Sequence, residues 1–358
     1  MIRPDEDRAG GPSPLAAEAG AARSMRNSAL VVPERLSALP AKRRAYALEI
    51  YFRECWAEML EGRSESDVVP RLLDTAVILI KPDGVAARAL DPIRLAVEQQ
   101  GFEVTAGAVV NLDRVMMREL WRYELNLATM QRMAAIDILL TMGPSCLLLL
   151  RDRRPNGLVS AAERLRAWKG PARGRRTPGQ LRSIVGALHG MLNFVHSVDE
   201  PADIVRELGV LLSRAERRRF VHVLLAGGRD DASVDDAVRT CEAAIPAYDL
   251  RLHAALDRVQ AVLSSIADPI DAGEARRIIA EARERGKCDW EHLFDLLDRS
   301  AALYEPWDRA AIAAWCTETD VPGVLPVFGA KLRHRRRRAS PTDGAEDRVE
   351  IASRLSRA

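Results

Sequence analysis

The spacing of apolar residues changes near residue 214 and divides the chain into two regions. In the first region, short runs rich in Val, Ile and Leu alternate with stretches in which apolar residues recur every three or four positions. The short runs predict β-strands at residues 75–81, 102–112, 145–150 and 183–188. The helical stretches between them do not repeat as they would in a doubly wound sheet. We therefore expect an α+β fold, the ferredoxin-like antiparallel sandwich.

Further helical patterns lie on both sides of this region. Residues 42–63 carry apolar side chains at three- and four-residue spacing and predict one amphipathic helix, with Leu48 on its apolar face. After residue 214 the strand patterns end. Helices are predicted there at residues 234–267, 271–286, 289–304 and 306–315, with a break at Pro246. The second region is therefore expected to be an all-α extension.

Composition restricts the class of protein. Of the 358 residues, 47% are hydrophobic, which is enough for a sizeable core, and the net charge is only +2. A general polyanion-binding protein is therefore not expected, and the arginines at 335–338, without interleaved aromatic residues, do not favour a nucleic-acid interface. No apolar run approaches the ~20 residues of a membrane span. We expect a soluble, cytoplasmic protein that does not associate with membranes.

Two residues have side chains suited to phosphate chemistry, although a histidine taken alone is more often structural. Only five basic residues are lysines, and Lys81 is one of them, at the end of the first predicted strand. A buried ammonium group there would be costly without a partner, and a phosphate oxygen would stabilise it. His196 precedes an acidic helix start, and a neutral imidazole is a good nucleophile near pH 7. Phosphoryl transfer needs such a nucleophile together with cations around the phosphate oxygens.

Four short segments, in order, resemble the motifs of nucleoside diphosphate kinases. They are Ile-Lys-Pro-Asp-Gly-Val at 80–85, Gly-Pro at 143–144, Pro-Gly-Gln-Leu-Arg at 178–182, and Asn-Phe-Val-His at 193–196. Asp199 and Glu207 follow the last segment, as acidic residues do in the family signature. The resemblance covers about 140 residues, roughly 72–213.

The resemblance implies an enzyme, a kinase that passes the γ-phosphate of ATP through a phosphohistidine to a nucleoside diphosphate. It implies His196 as the nucleophile, Glu207 as the group that fixes its tautomer, and Lys81 as a catalytic, phosphate-binding cation. It also implies the following nucleotide- and phosphate-binding residues: Tyr123, Arg166, Arg182 and Asn193. Mg²⁺ would enter with the ATP phosphates, without a metal site of the protein's own. Family members assemble into homo-oligomers through the sandwich domain.

The sequence also departs from the family pattern. The serine expected two residues after the histidine is replaced by Val198, and the phosphate-binding threonine has no match near Pro171. The aromatic residue that stacks on the base falls near Arg132. Two alternatives therefore remain open: a catalytically weak or inactive nucleotide-binding scaffold, and a specialised phosphotransferase with a non-nucleotide acceptor.

These observations predict five parts of the chain. They are a disordered segment at 1–40, an N-terminal helix at 41–70, the kinase-like domain at 71–213, a helical domain at 214–330 and a basic mobile tail at 331–358. The apolar faces of the helical domain are expected either to pack on the kinase-like domain or to bind a protein partner.

Overall fold

The centre of the fold is a four-stranded antiparallel sheet. The structure, a computed structural model, describes residues 30–328. The strands are β1 (Thr75–Ile80), β2 (Phe102–Val110), β3 (Ser145–Asp152) and β4 (Val195–Ser197), in the spatial order β2-β3-β1-β4. Every neighbouring pair is antiparallel. The protein therefore has the predicted ferredoxin-like α+β fold, with an all-helical C-terminal extension.

Three of the four strand predictions are confirmed, and the fourth is wrong. Residues 183–188 contain the end of a short helix and a turn in which Gly186 has a φ of 66°. The fourth strand is β4, which has only three residues and a histidine at its centre. A strand this short leaves no apolar run, so it is recognised only by its pairing with β1.

The helices of the described residues surround this sheet. In chain order they are α1 (Pro40–Leu48), α2 (Ile50–Met59), α3 (Glu65–Leu73), α4 (Pro82–Ala86), α5 (Leu90–Gln99), α6 (Arg114–Leu120), α7 (Met130–Leu140), α8 (Ala161–Lys169), α9 (Leu181–Ile184), α10 (Pro201–Leu211), α11 (Arg214–Ala226), α12 (Asp231–Ala244), α13 (Leu252–Val262), α14 (Pro269–Arg285), α15 (Trp290–Arg299) and α16 (Pro306–Cys316). Among residues 30–328, no helix is long and apolar enough to cross a membrane.

The N-terminal segment differs from the prediction in two ways. The expected single helix at 42–63 is two helices, α1 and α2, because the backbone of Glu49 is extended and its buried carboxylate binds Arg206. Leu48, at the break, is 82% exposed. The expected disorder of residues 1–40 is wrong for residues 30–40, since Val32 and Leu36 are buried in the core. Residues 1–29 lie outside the described residues.

The C-terminal helices pack on the sheet. Helix α12 lies against β2 so closely that a Cβ atom added to Gly107 would stand 2.8 Å from the Cα of Val234. The backbone N–H of Gly107 donates to the Ser233 hydroxyl of α12 across 3.0 Å. Every residue of β1 is buried, because helices cover the sheet on both sides. The helices after residue 213 are therefore part of the same core as the sandwich.

After α16 the chain returns to the sandwich as an extended segment, residues 317–328, which we call the C-terminal strap. The strap lies along residues 123–129. Backbone hydrogen bonds hold it there, from Thr129 to Thr319 (3.3 Å), from Val321 to Leu127 (2.7 Å) and from Val327 to Tyr123 (3.1 Å). The predicted mobile tail at 331–358 lies outside the described residues.

Candidate active site

The strap, α6, α7, β4 and α10 enclose a cavity of about 430 Å³. The residues predicted from sequence for the site all line it: Lys81, Tyr123, Arg166, Arg182, Asn193, His196 and Glu207. These side chains come from five different parts of the chain, and the antiparallel sheet brings them together. The structure therefore places the whole predicted set in one cavity.

His196 and Glu207 form the central contact of the cavity. His196 lies on β4, opposite Leu79 of β1, and its side chain is 19% exposed. Its Nε2 atom is 2.8 Å from the Oε2 atom of Glu207. Glu207 is held in place by α10, a helix that is buried along its whole length. The imidazole is thus fixed on one side and faces the cavity on the other.

Trp121 contacts the other nitrogen of the histidine and was missed by the sequence analysis. Its indole Nε1 is 3.4 Å from the Nδ1 of His196, with the two rings nearly perpendicular. An indole N–H can only donate, so Nδ1 accepts this bond and the imidazole proton lies on Nε2, facing Glu207. Arg206 of α10 holds the end of α6 just before Trp121 through the Leu120 carbonyl. No sequence motif marks this tryptophan, although it lies only two residues from Tyr123.

Tyr123 lines the cavity, but its hydroxyl points elsewhere. The hydroxyl donates to Glu49 across 2.6 Å. Burial and this carboxylate raise the pKa of Tyr123 to about 12. Its ring packs against Phe328 of the strap, with centroids 4.4 Å apart. In this arrangement the tyrosine joins the N-terminal helices to the strap.

Lys81 is buried at the start of α4. Its Nζ donates to the Met191 carbonyl across 3.0 Å and lies 3.4 Å from Asp83. Burial lowers the pKa of Lys81, although Asp83 partly compensates. Asp83 also accepts a hydrogen bond from the Phe194 backbone, which ties the strand end to the loop before His196. Lys81 is thus held with its ammonium group at the cavity wall.

Arg182 and Asn193 are bound to each other and to the backbone. The guanidinium of Arg182 donates to the carbonyls of Gly170 (2.8 Å) and Val195 (2.7 Å), and to the Asn193 side chain (3.2 Å). Burial, reinforced by nearby Arg176, lowers the pKa of Arg182 to about 10. These bonds fix the loop that precedes β4. Together with a bond from Nε to the Asn193 carbonyl (3.3 Å), they occupy four of the five N–H donors of the guanidinium, so one Nη1 donor remains for a phosphate group.

The cavity carries more positive than negative side chains. Its cationic residues are Lys42, Lys81, Arg132, Arg166, Lys169, Arg173, Arg182 and Arg206, and its carboxylates are Glu124, Asp199, Asp203 and Glu207. The lining thus has eight cations against four acids, which favours an anionic ligand. Four further carboxylates pair with some of these cations from behind the lining: Glu49, Asp83, Glu200 and Asp320. Arg166, the remaining predicted phosphate ligand, is 3.2 Å from Asp199 and is only partly buried.

The strap contributes the residues at one side of the cavity. Asp320 accepts hydrogen bonds from Arg132 (2.8 Å) and Arg173 (3.2 Å). Arg132 is the position where the sequence comparison expected the base-stacking aromatic residue. Phe328 and Pro326 of the strap line the cavity instead. Sequence reasoning could not find these residues, because nearly 200 positions separate them from the segment they contact.

Comparisons with known proteins agree with this geometry. Residues 74–217 match the family model of nucleoside diphosphate kinase. The nucleoside diphosphate kinase of Mycolicibacterium vanbaalenii is 28% identical over 137 residues, which are 38% of this chain and 95% of that protein. The enzyme of Listeria monocytogenes serotype 4b (strain F2365) is 22% identical over 144 residues, 40% of this chain and 92% of that protein.

A solved structure is also similar, that of the Aquifex aeolicus nucleoside diphosphate kinase. It is 20% identical, with a TM-score of 0.34, and the match covers 40% of this chain and 97% of that one. Residues 74–217 of this chain therefore resemble nucleoside diphosphate kinases, at low sequence identity.

Proposed function

We propose that this protein is a phosphotransferase of the nucleoside diphosphate kinase type, which passes the γ-phosphoryl group of ATP through His196 to a nucleoside diphosphate. The contact between Nε2 of His196 and Glu207 carries the proposal, because it places the ring proton on Nε2 and leaves the nucleophilic electron pair on Nδ1, where only the weak bond from Trp121 has to be given up. The cationic side chains that line the cavity support an anionic substrate.

The proposed reaction has two half-reactions. In the first, the Nδ1 electron pair forms a bond to the γ-phosphorus, the bond from phosphorus to the β,γ-bridging oxygen breaks, and ADP leaves. The positive charge that develops on the imidazole is stabilised by Glu207 through the Nε2 proton. In the second, a terminal oxygen of the nucleoside diphosphate attacks the phosphorus, the Nδ1–P bond breaks, and His196 returns to its neutral form.

The substrate in this proposal is the magnesium complex of the nucleotide. The ion neutralises phosphate charge and arrives with the substrate, so it needs no carboxylate cage in the protein. Arg182 has one Nη1 donor left for a phosphate oxygen, because its other four donors bind protein oxygens. Lys81 and Arg166 are the other predicted phosphate-binding cations, and both line the cavity.

Specific observations favour the second candidate, a nucleotide-binding scaffold with weak or no catalysis. Four of the five N–H donors of Arg182 are taken by protein oxygens, and the Tyr123 hydroxyl is bound to Glu49. Trp121 also covers the Nδ1 atom that must attack. A third candidate, transfer to a non-nucleotide acceptor, is favoured by Arg132 at the position of the base platform and by its bond to Asp320.

Labelling with γ-³²P-ATP and Mg²⁺ tests these candidates. The wild type, His196→Ala and the control His253→Ala are compared; His253 is an exposed residue of α13. The proposal predicts acid-labile, base-stable label on the wild type and on the control, and none on His196→Ala. The label should leave when GDP, CDP, UDP or TDP is added.

Each other outcome selects a different candidate. Equal labelling of His196→Ala contradicts the proposed nucleophile. Label that stays on the protein with every nucleoside diphosphate, but leaves with another anionic acceptor, supports the specialised phosphotransferase. Absence of label, with ATP still bound, supports the scaffold.

A further inference from the structure

Lys169 is the lysine of the cavity that no carboxylate pairs. It is the last residue of α8, it is buried, and its Nζ donates to the backbone carbonyl of Ser197 across 3.3 Å. Ser197 is the residue after the histidine, so this bond ties the ammonium group to the strand that carries His196. Among the described residues, no carboxylate oxygen lies within the 4.0 Å of an ion pair from this Nζ.

The other two lysines of the cavity have partners. Lys42 is 2.8 Å from Asp203 and 3.2 Å from Glu200, and Lys81 is 3.4 Å from Asp83. A buried ammonium group without a counterion is unfavourable, and proteins pair or neutralise such groups. Lys169 therefore stands in the cavity as an anion-binding group that the protein itself leaves without an anion.

We infer that Lys169 is a phosphate-binding residue that contacts an oxygen of the phosphoryl group held at His196. This inference rests on the proposed function of the same cavity. In this role Lys169 would replace the threonine that is expected to bind phosphate, which has no match in the loop after α8. Lys169 lies at the end of that helix, where the helix dipole favours a cation. The ammonium group supplies a stronger, charge-assisted bond in place of a hydroxyl.

The charge of Lys169 depends on the groups around it. Burial and then Arg182 lower its pKa to about 8, whereas Asp199, Glu207 and Glu124 act in the opposite direction. His196 also faces this space. A phosphate group beside Nζ favours the charged form, so phosphate binding should take up a proton above pH 8. By the same linkage, affinity should fall as the pH rises through about 8.

The test measures binding of the β,γ-imido analogue of ATP, with Mg²⁺, by calorimetry. The variants are Lys169→Met, Lys169→Arg and the control Arg218→Met, which removes an exposed charge paired with Glu61 on another face. Lys169→Met should bind at least about tenfold more weakly, which is the usual size of one charge-assisted bond. Lys169→Arg should keep most of the affinity and lose the decline near pH 8. Arg218→Met should behave as wild type.

A second measurement needs no variant. Repeating the wild-type titration at pH 8.5 in buffers of different ionisation enthalpy gives the number of protons taken up, which should be a clear fraction of one. Unchanged affinity of folded Lys169→Met overturns the inference. Lys169-dependent binding without label on His196 overturns the proposed function and leaves the inference intact. Label on His196 that does not depend on Lys169 overturns the inference and leaves the proposed function intact.

Discussion

Replacing Lys42 by Met tests how the N-terminal helix supports the site. Lys42 lies on α1, and its Nζ contacts the buried carboxylates of Asp203 (2.8 Å) and Glu200 (3.2 Å) at the start of α10. Asp203 also accepts a hydrogen bond from Tyr46 (2.7 Å), and Glu200 accepts one from Ser37 (2.6 Å). The variant leaves two buried acids with these neutral donors and no cation.

The expected loss of unfolding free energy is about 3–5 kcal/mol, as for other buried ion pairs that lose one partner. Because Tyr46 and Ser37 still donate hydrogen bonds to the two acids, we expect a loss of unfolding free energy at the lower end of this range, about 3 kcal/mol. The control is an exposed ion pair. Lys287 contacts Glu318 at the surface, so Lys287→Met should change the free energy of unfolding by only about 0–1 kcal/mol. Far-UV circular dichroism in urea, at pH 7, measures both variants.

The pH dependence gives a second check. The pKa of Asp203 is lowered, because burial is outweighed by Lys42 and by hydrogen bonds. The pKa of Lys42 is raised, because Asp203 and Glu200 outweigh its burial. The Asp203 contribution is present above about pH 4 and disappears as the pH falls through its lowered pKa. The Lys42 contribution persists up to about pH 10.5 and disappears above it.

The difference between wild type and Lys42→Met should therefore be constant from about pH 5 to pH 10 and shrink in acid. A Lys42→Met protein within 1 kcal/mol of wild type at pH 7 would refute this reasoning. So would a difference that increases in acid. Asp203 lies one turn before Glu207 on α10, so the variant should also slow labelling of His196.

Three further predictions follow from other contacts. Gly107→Ala should lower the free energy of unfolding by about 1–3 kcal/mol, because its Cβ would meet the backbone of α12. Gly228→Ala, in open space, should leave it unchanged in urea unfolding, and equal unfolding free energies of the two variants would contradict the docking of α12. Burial opposes ionisation of Glu103, but arginine hydrogen bonds hold its pKa at about 2, so its contribution to stability should be lost as the pH falls from about 4.5 to 2; Glu103→Gln should lack that part of the acid titration. Trp121→Phe frees the Nδ1 atom of His196 and should speed labelling by up to about fivefold, the value of one weak hydrogen bond; slower labelling would show that the indole positions the ring.

The sequence predicted the parts of the fold that leave a local pattern. The apolar runs of β1, β2 and β3 are long enough to identify each strand alone. Strand β4 is not, because it has three residues and is stabilised by pairing with β1. The break at Glu49 also escaped, since its cause is a carboxylate bound to Arg206, more than 150 residues away.

In the candidate site, too, the sequence predicted the residues that belong to a local motif and missed the others. Motifs that keep their order bring His196, Glu207 and Lys81 into one cavity, and this could be expected from the resemblance. Lys169 and Trp121 belong to no motif, because their importance comes from what the folded chain places beside the histidine strand. The rarity of lysine in this chain was the only signal in the sequence for Lys169, and the structure adds that this lysine is buried in the cavity.

The C-terminal strap has a consequence for the order in which the protein is made. The Thr129 hydroxyl binds the carbonyl of Glu318, a residue synthesised 189 positions later. The sandwich and its histidine therefore leave the ribosome well before the strap that closes one side of the cavity. Until then, Tyr123 lacks Phe328, and Arg132 lacks Asp320. At the pace of translation, about 5–20 residues per second, the 121 residues from Glu207 to Phe328 take roughly 6–24 seconds, during which this cavity is open to the cell's nucleotide pool.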